Sequence, residues 1–215
     1  DEREANAGIR ITDEFSQLLE REQANNLPSE VESRWRLVET AWELNISNRL
    51  IAIDFDQETE SLFASIDSSR RKPVTSCAPA LNGYQKGSCF YCFDDIHLDD
   101  KSSKSPHIDH FFPYTLKHSG FKLIEEIWNL VLSCQKCNNG IGGKFDSIPK
   151  RHLLARLHKR NEFLISSHHP LRETLMIHTG VSKQQRKSFI ANYYKQAYKT
   201  IIHTWEAVEK YEPLF

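Results

Sequence analysis

Two Cys-x-x-Cys pairs constrain the fold of this chain more than any other feature of its sequence. The pairs are formed by Cys89, Cys92, Cys134 and Cys137. Thiolates at this spacing can complete one tetrahedral zinc site. Only Cys77 is left over, which fits zinc in a reducing compartment better than a disulfide framework. We therefore predict a structural zinc ion that clamps residues 89–138, and a small apolar residue or an idle thiol at Cys77.

Polar side chains suited to metal-assisted hydrolysis lie within this clamp. They are Asp109, His110, Asn129 and, directly after the last cysteine, Asn138. A carboxylate and an amide supply the hard oxygen ligands that Mg²⁺ prefers. A neutral imidazole can accept a proton from water near pH 7. The sequence therefore predicts a nuclease site enclosed by the clamp.

The order of short elements in the clamp predicts a ββα unit. The stretch HIDHFFPY has strand character, NLVLSC reads as a second strand, and the helix that follows carries Asn138. Side chains alternate along a regular strand, so Asp109 and His110 can serve one phosphate only where the backbone twists. The glycines after Asn138 predict a short helix.

These residues resemble the HNH (His-Asn-His/Asn) endonucleases, which have a ββα-metal fold. The resemblance is to the version in which a zinc ion holds the fold together and the last residue of the motif is Asn. The resemblance covers residues 83–150 and lies in the combination of DH, N and CxxCN. It implies that Asp109 and Asn138 are metal ligands and that His110 is the general base. It also implies that Asn129 fixes the loop bearing that base.

One position departs from the pattern of this family. Many members carry a lysine three residues after the final motif asparagine, where this chain has Ile141. Lys144 is the candidate replacement for the phosphate contact expected there.

The resemblance implies a Mg²⁺-dependent hydrolase of DNA, with Mn²⁺ as a substitute metal, that nicks or cuts both strands. The helical flanks resemble those of HNH effectors in bacterial anti-phage or restriction-type systems, which implies a role in defence. RNA such as tRNA is the alternative substrate. A zinc-ribbon module that binds nucleic acid or protein without catalysis is the alternative of another class.

Charge is divided unevenly along the chain, although the formal net charge is only −1. Residues 1–60 hold fifteen acidic side chains and six arginines, and residues 140–202 hold twelve cationic and three acidic side chains. This asymmetry predicts a phosphate-facing half and an acidic half that meets a protein partner or second subunit. The predicted nucleic-acid contacts are Lys144, Lys150, Arg151, Lys159 and Arg160. The alternative is that these charged residues only cover the solvent-exposed faces of helices.

We predict an α+β protein, mostly helical, in which the ββα-metal module is stapled by a zinc ion bound to four cysteines. The predicted parts are an acidic helical region at residues 1–72, the nuclease module at 73–150 and a basic helical region at 151–215. No apolar run approaches the roughly 20 residues that span a bilayer, and the first residues lack the layout of a signal peptide. We therefore expect a soluble, cytoplasmic protein.

Hydrophobic periodicity predicts several helices outside the clamp. One is predicted to bury the stripe formed by Val31, Trp35, Val38 and Trp42. Asp56 is predicted to begin a helix that runs through Ile66, and residues 68–82 read as a connection before the nuclease module. A further helix is predicted after Pro149. Gly180 is predicted to end a helix, and Ser182 is predicted to cap a long final helix whose apolar stripe reaches Trp205.

Overall fold

The computed structural model describes residues 10–20, 24, 27–43, 52–67, 70–98 and 104–208. The α-helices are α1 (Asp13–Leu19), α2 (Leu27–Glu43), α3 (Cys77–Gln85), α4 (Gln135–Asn138), α5 (Arg151–Ser166), α6 (Arg172–Thr179) and α7 (Lys183–Thr200). The strands are β1 (Ile53–Asp56), β2 (Ser61–Asp67), β3 (Arg70–Ser76), β4 (His107–His110), β5 (Leu130–Ser133), β6 (Ile148–Pro149) and β7 (Thr204–Trp205). The prediction of a mostly helical α+β fold is confirmed.

Three small sheets accompany the helices. Strands β1, β2 and β3 form an antiparallel sheet, β4 pairs with β5 in antiparallel register, and β6 pairs with β7 in parallel. In the second sheet Asp109 lies opposite Val131 and His110 lies opposite Leu130. Strand β5 leads through Cys134 into α4, which is a single turn. The predicted ββα unit is therefore present, and its helix is as short as the glycines indicated.

The predicted helix from Asp56 is wrong, because this segment forms a β-hairpin. Oδ1 of Asp56 accepts hydrogen bonds from the backbone N–H and the hydroxyl of Thr59, both at 3.0 Å, which closes the turn between β1 and β2. Leu62 and Ala64 are buried, as expected for alternate positions of a strand. The short apolar run in this segment fitted both the helical and the strand periodicity. Pairing of β2 with β1 and β3 decided in favour of the strand.

Residues 70–82, predicted to belong to a connection, instead form β3 and most of α3. Helix α3 is joined to β5 through the buried side chain of Gln85. Its Nε2 donates to the carbonyl of Leu132 at 2.8 Å, and its Oε1 accepts from the N–H of Leu132 at 2.9 Å. The side chain thus pairs with β5 as a neighbouring strand would, which ties the segment before the first cysteine pair to the ββα unit.

Helix α2 buries a different face from the predicted one. Its buried residues are Ser33, Leu37, Thr40 and Ala41. Trp35 and Trp42 are 50% and 59% exposed, and their rings meet edge to face at 5.4 Å. Small residues on the buried face let α2 pack against α3 and β3. Periodicity identified an apolar stripe on α2, but the neighbouring elements cover a different face of the helix.

The ends of the C-terminal helices agree with the sequence. Gly180 ends α6 with a φ of 120°, in the region that favours glycine. Ser182 caps α7 through a capping box with Gln185, in which the Ser182 side chain accepts from the Gln185 N–H at 3.2 Å. Trp205, predicted to lie on this helix, lies in β7 instead. Within the described ranges, no helix is long and apolar enough to cross a membrane.

Arg160 is buried, so its predicted role as a nucleic-acid contact is wrong. Its guanidinium donates to the carbonyl oxygens of Ile127, Trp128 and Leu130 at 3.3, 3.2 and 2.6 Å. It shares the inner face of α5 with Leu157. The cation therefore satisfies backbone carbonyls that lead into β5.

We predict that Arg160→Ala lowers the free energy of unfolding by about 3 kcal/mol or more, because three buried carbonyls lose their charged donor. The neighbouring exposed residue supplies the control, and Lys159→Ala should change stability by less than about 0.5 kcal/mol. Urea unfolding of both variants at constant zinc concentration measures the difference. Equal, small losses would contradict the burial of Arg160.

Candidate metal centre and polar pocket

The four cysteines of the two pairs come together in one buried cluster. Their sulfur atoms all lie within 4.8 Å of one another, and Sγ of Cys92 lies 3.8 Å from Sγ of Cys134. A tetrahedral zinc site with bonds of about 2.3 Å separates its sulfurs by about 3.8 Å. The cluster therefore has the composition and spacing to hold a structural metal such as zinc.

Backbone hydrogen bonds bring the two pairs together. The first pair lies on a tight turn in which the N–H of Cys89 donates to the carbonyl of Asp94 at 2.8 Å. Phe93 adopts a left-handed backbone conformation in this turn, with a φ of 61°. The N–H of Phe90 donates to the carbonyl of Leu132 at 2.9 Å, which fastens the turn to β5. Because β5 runs into Cys134, this bond places one cysteine pair beside the other.

Cys77 lies outside the cluster. Its side chain is fully buried, and burial raises the pKa of its thiol well above the usual value. A protonated, inaccessible thiol is unreactive, which agrees with the prediction of an idle cysteine.

A polar pocket of about 240 Å³ opens beside the ββα unit. It is lined by Asp109, His110, Pro113, Tyr114, Asn138, Asn139, Lys144, Phe145 and Asp146. The structure thus brings Asp109, His110 and Asn138 to one cavity. Asn129 is not among the residues that line this cavity, and it is fully buried.

Both carboxylate oxygens of Asp109 have donors. The hydroxyl of Tyr91 donates to Oδ2 at 2.6 Å, and Nζ of Lys144 lies 3.2 Å from Oδ1. Burial raises the pKa of Asp109, whereas the Lys144 ammonium and the Tyr91 hydroxyl act in the opposite direction. Neither of these two partners was identified from the sequence, although Tyr91 lies between two predicted zinc ligands.

The imidazole of His110 is buried against aromatic rings. It lies 6.3 Å from the ring of Phe55 and 5.6 Å from the ring of Tyr114, and its Nε2 has no hydrogen-bond partner among the described residues. Burial lowers the pKa of His110 to about 4, and the nearby Lys144 ammonium acts in the same direction. His110 is therefore neutral at neutral pH, as a group that accepts a proton must be.

Asn129 holds the chain that follows His110. Its Oδ1 accepts from the N–H of Phe112 at 2.8 Å, and its Nδ2 donates to the carbonyls of Phe112 and Ile124 at 3.0 and 2.7 Å. Its own carbonyl accepts from the N–H of Phe111 at 2.7 Å. These bonds hold the backbone directly after His110, where β4 ends.

Asn138 faces His107 across the ββα unit. Nδ2 of Asn138 lies 3.3 Å from Nδ1 of His107. An amide nitrogen can only donate, so this contact requires Nδ1 of His107 to be the acceptor. The amide oxygen of Asn138 then points away from His107. His107 lies two residues before Asp109 in β4, so both side chains lie on the same face of this strand.

The predicted phosphate contacts have different surroundings. Lys144 is only 1% exposed and donates to the carbonyls of His110 and Phe145 at 3.0 and 3.1 Å. Lys150 pairs with Glu206 at the surface. Arg151 and Lys159 are exposed. Of the five predicted contacts, Arg151 and Lys159 are the two that are exposed and have no salt-bridge partner among the described residues.

Cations of the C-terminal helices also bind inside the protein. Arg156 donates to the carbonyls of Phe90 and Tyr91 at 2.7 and 3.0 Å, and Arg186 pairs with Glu162. Together with Lys144 and Arg160, they are four of the twelve cations in the basic half. The surface of that half is therefore less positive than its sequence.

An acidic groove of about 740 Å³ adjoins the polar pocket. It is lined by Asp54, Phe55, Asp56, Gln57, Glu58, Tyr114, Glu125 and Glu126. Tyr114 lines both cavities. Burial raises the pKa of Glu126 to about 7, with Asp54 as the next cause. The carboxylates on this side would repel a phosphate backbone.

The comparisons with protein-family models, with curated proteins and with solved structures found no match to this chain.

We predict that the purified chain contains about one zinc per molecule and that Cys134→Ser loses both zinc and cooperative unfolding. Cys77→Ala is the matched control and should retain the metal, because Cys77 lies outside the cluster. Elemental analysis and thermal unfolding report the two quantities. Absence of zinc would contradict the zinc prediction, and a disulfide between Cys89 and Cys92 would show that the cluster is not a metal site.

Proposed function

We propose that this chain is a metal-dependent nuclease that hydrolyses phosphodiester bonds in the manner of the HNH endonucleases. The observation that carries the proposal is the shared pocket of Asp109, His110 and Asn138, in which His110 is buried and neutral. The four-cysteine cluster flanks the same ββα unit. Acid, amide and neutral imidazole in one cavity form a set suited to phosphate chemistry.

The donor set of the pocket fits a hydrated Mg²⁺ ion. Mg²⁺ is commonly held by one or two carboxylates or other oxygens, while water and substrate phosphate complete its shell. Asp109 retains lone pairs beyond those used by Tyr91 and Lys144, because a carboxylate accepts up to about four bonds. The oxygen of Asn138 points away from His107. When bound, the ion would neutralise charge that develops on the phosphate and the leaving oxygen.

His110 is the proposed general base. A buried imidazole with a pKa of about 4 is unprotonated at neutral pH, so its ring can accept a proton from an attacking water. Asn129 orients the ring by fixing the backbone that follows His110. Lys144 donates to the His110 carbonyl and lies beside Asp109, so it orients both residues and would place a positive charge near a phosphate that enters the pocket.

The cysteine cluster serves structure and not chemistry in this proposal. Four thiolates close the coordination shell of a zinc ion and leave no position for water or substrate. Strands and helix of four residues each cannot bury enough apolar surface to be stable alone. The metal therefore stabilises the frame that carries Asp109 and Asn138.

DNA is the favoured substrate, with a role as an effector of bacterial defence, and RNA is the alternative. The acidic groove beside Tyr114 disfavours entry of a phosphate backbone from that side. Exposed Arg151 and Lys159 are the nucleic-acid contacts that we retain from the basic half. They act on phosphates and carry no sequence preference.

We expect the zinc-loaded protein to cleave plasmid DNA with Mg²⁺ and to be inactive with EDTA, and His110→Ala to abolish cleavage. His203→Ala is the control, since His203 is exposed and lies outside the pocket. Total RNA incubated in parallel distinguishes the two substrates. A His110→Ala protein that cuts at the wild-type rate would remove His110 from the mechanism. No cleavage of either substrate by the wild type would favour a binding module without catalysis.

We expect Arg151→Glu with Lys159→Glu to weaken nucleic-acid binding and to flatten its dependence on salt. The slope of log K against log salt should fall by roughly 0.9 for each lost duplex phosphate contact. Glu32→Lys in the acidic half is the control and should not weaken binding. Binding isotherms of the inactive His110→Ala protein at several salt concentrations measure the effect. Equal losses in both halves would contradict the two-sided charge model.

A further inference from the structure

We propose that Tyr91 positions Asp109 and thereby couples the cysteine cluster to the polar pocket, an inference that rests on the proposed function. Tyr91 lies inside the first cysteine pair, between Cys89 and Cys92. Its hydroxyl donates to Oδ2 of Asp109 at 2.6 Å, and its side chain is fully buried. Tyr91 therefore belongs to the turn that carries Cys89 and Cys92, and it also contacts the carboxylate of Asp109 in the pocket.

The position of Tyr91 is fixed by contacts on several sides. Its ring meets the rings of Phe90 and Trp205 edge to face, each at 5.2 Å, and stacks on that of Phe111 at 6.5 Å. Its carbonyl accepts from Arg156 of α5 at 3.0 Å. A hydroxyl held in this way cannot follow Asp109 if the carboxylate rotates. It instead selects the rotation that keeps the hydrogen bond.

The two donors on Asp109 act together. Tyr91 holds Oδ2 and Lys144 lies beside Oδ1, so the plane of the carboxylate is set before any cation arrives. The hydroxyl is neutral and leaves the negative charge of Asp109 available, whereas an ammonium competes with a cation for it. Tyr91 is therefore the donor that can remain in place when the cation binds.

Hydrogen-bond partners of metal ligands orient those ligands, and their loss typically costs about 10–100-fold in metal affinity or activity. A purely structural tyrosine would behave differently. Loss of its hydroxyl would lower stability and leave the affinity of Asp109 for a cation unchanged. The two roles are therefore separable by measuring cation binding directly.

The test compares Tyr91→Phe with Tyr193→Phe in the zinc-loaded full chain. Phe at position 91 keeps the ring contacts and removes only the donor. Tyr193 is also buried, and its hydroxyl donates to the carbonyl of Lys122 at 3.0 Å, away from Asp109. Mn²⁺ is the probe, and its binding is followed by electron paramagnetic resonance. The site at the pocket is defined as the binding that Asp109→Ala abolishes.

We expect Tyr91→Phe to bind Mn²⁺ roughly tenfold or more weakly than the wild type, with an unchanged zinc content. Tyr193→Phe should bind Mn²⁺ like the wild type. Nucleic-acid cleavage by Tyr91→Phe should recover as the Mn²⁺ concentration is raised, because the defect lies in metal binding and not in His110.

Wild-type Mn²⁺ affinity in Tyr91→Phe would overturn the inference and leave the proposed function intact. Loss of zinc or of cooperative unfolding in Tyr91→Phe would assign the hydroxyl to folding, and would also overturn it. A weakened Mn²⁺ site in a protein that cuts neither DNA nor RNA would support the inference and reject the nuclease proposal. No Mn²⁺ binding at Asp109 in the wild type would reject both.

Discussion

The close approach of four thiols is the constraint on which the rest of this structure depends. The elements that they join are short, since β4, β5 and α4 contain four residues each. Units of this size bury too little apolar surface to offset the loss of chain entropy. A metal bound by Cys89, Cys92, Cys134 and Cys137 would supply the missing free energy, because a preformed thiolate site exists only in the folded chain.

The surrounding helices complete what the cluster begins. Arg156 and Arg160 of α5 reach inward and donate to backbone carbonyls of the ββα unit and the turns beside it. From the other end, the indole N–H of Trp205 donates to the carbonyl of Gly142 at 2.8 Å, beside the pocket loop. The C-terminal part is therefore joined to the ββα unit by side-chain hydrogen bonds to its backbone. These two arginines contribute to that junction more than to the surface charge.

The pocket gathers groups whose charges nearly balance. Nζ of Lys144 and Oδ1 of Asp109 carry opposite charges and lie 3.2 Å apart, and burial keeps His110 neutral. Asp109, His110 and Lys144 are buried, so each added charge has a larger effect here than it would have at the surface. Asp146 also lines the pocket, so two carboxylates face one ammonium there, and a dication that enters together with one phosphodiester anion would compensate the excess negative charge. The neutral hydroxyl of Tyr91 adds direction to Asp109 without changing this balance.

The sequence by itself determined the local features of this protein. Spacing predicted the cysteine cluster, the order of the ββα elements and the helix ends at Gly180 and Ser182, because each depends on a few neighbouring residues. Only the tertiary structure decided which faces were covered. Periodicity shows which residues share a side of a helix, but not which side meets a neighbour, so Trp35 remained exposed. A long cationic side chain such as that of Arg160 is buried only where backbone carbonyls accept its hydrogen bonds, and here those carbonyls lie some thirty positions away in the sequence. The bond from Tyr91 to Asp109 likewise joins residues eighteen positions apart, and no local pattern marks it.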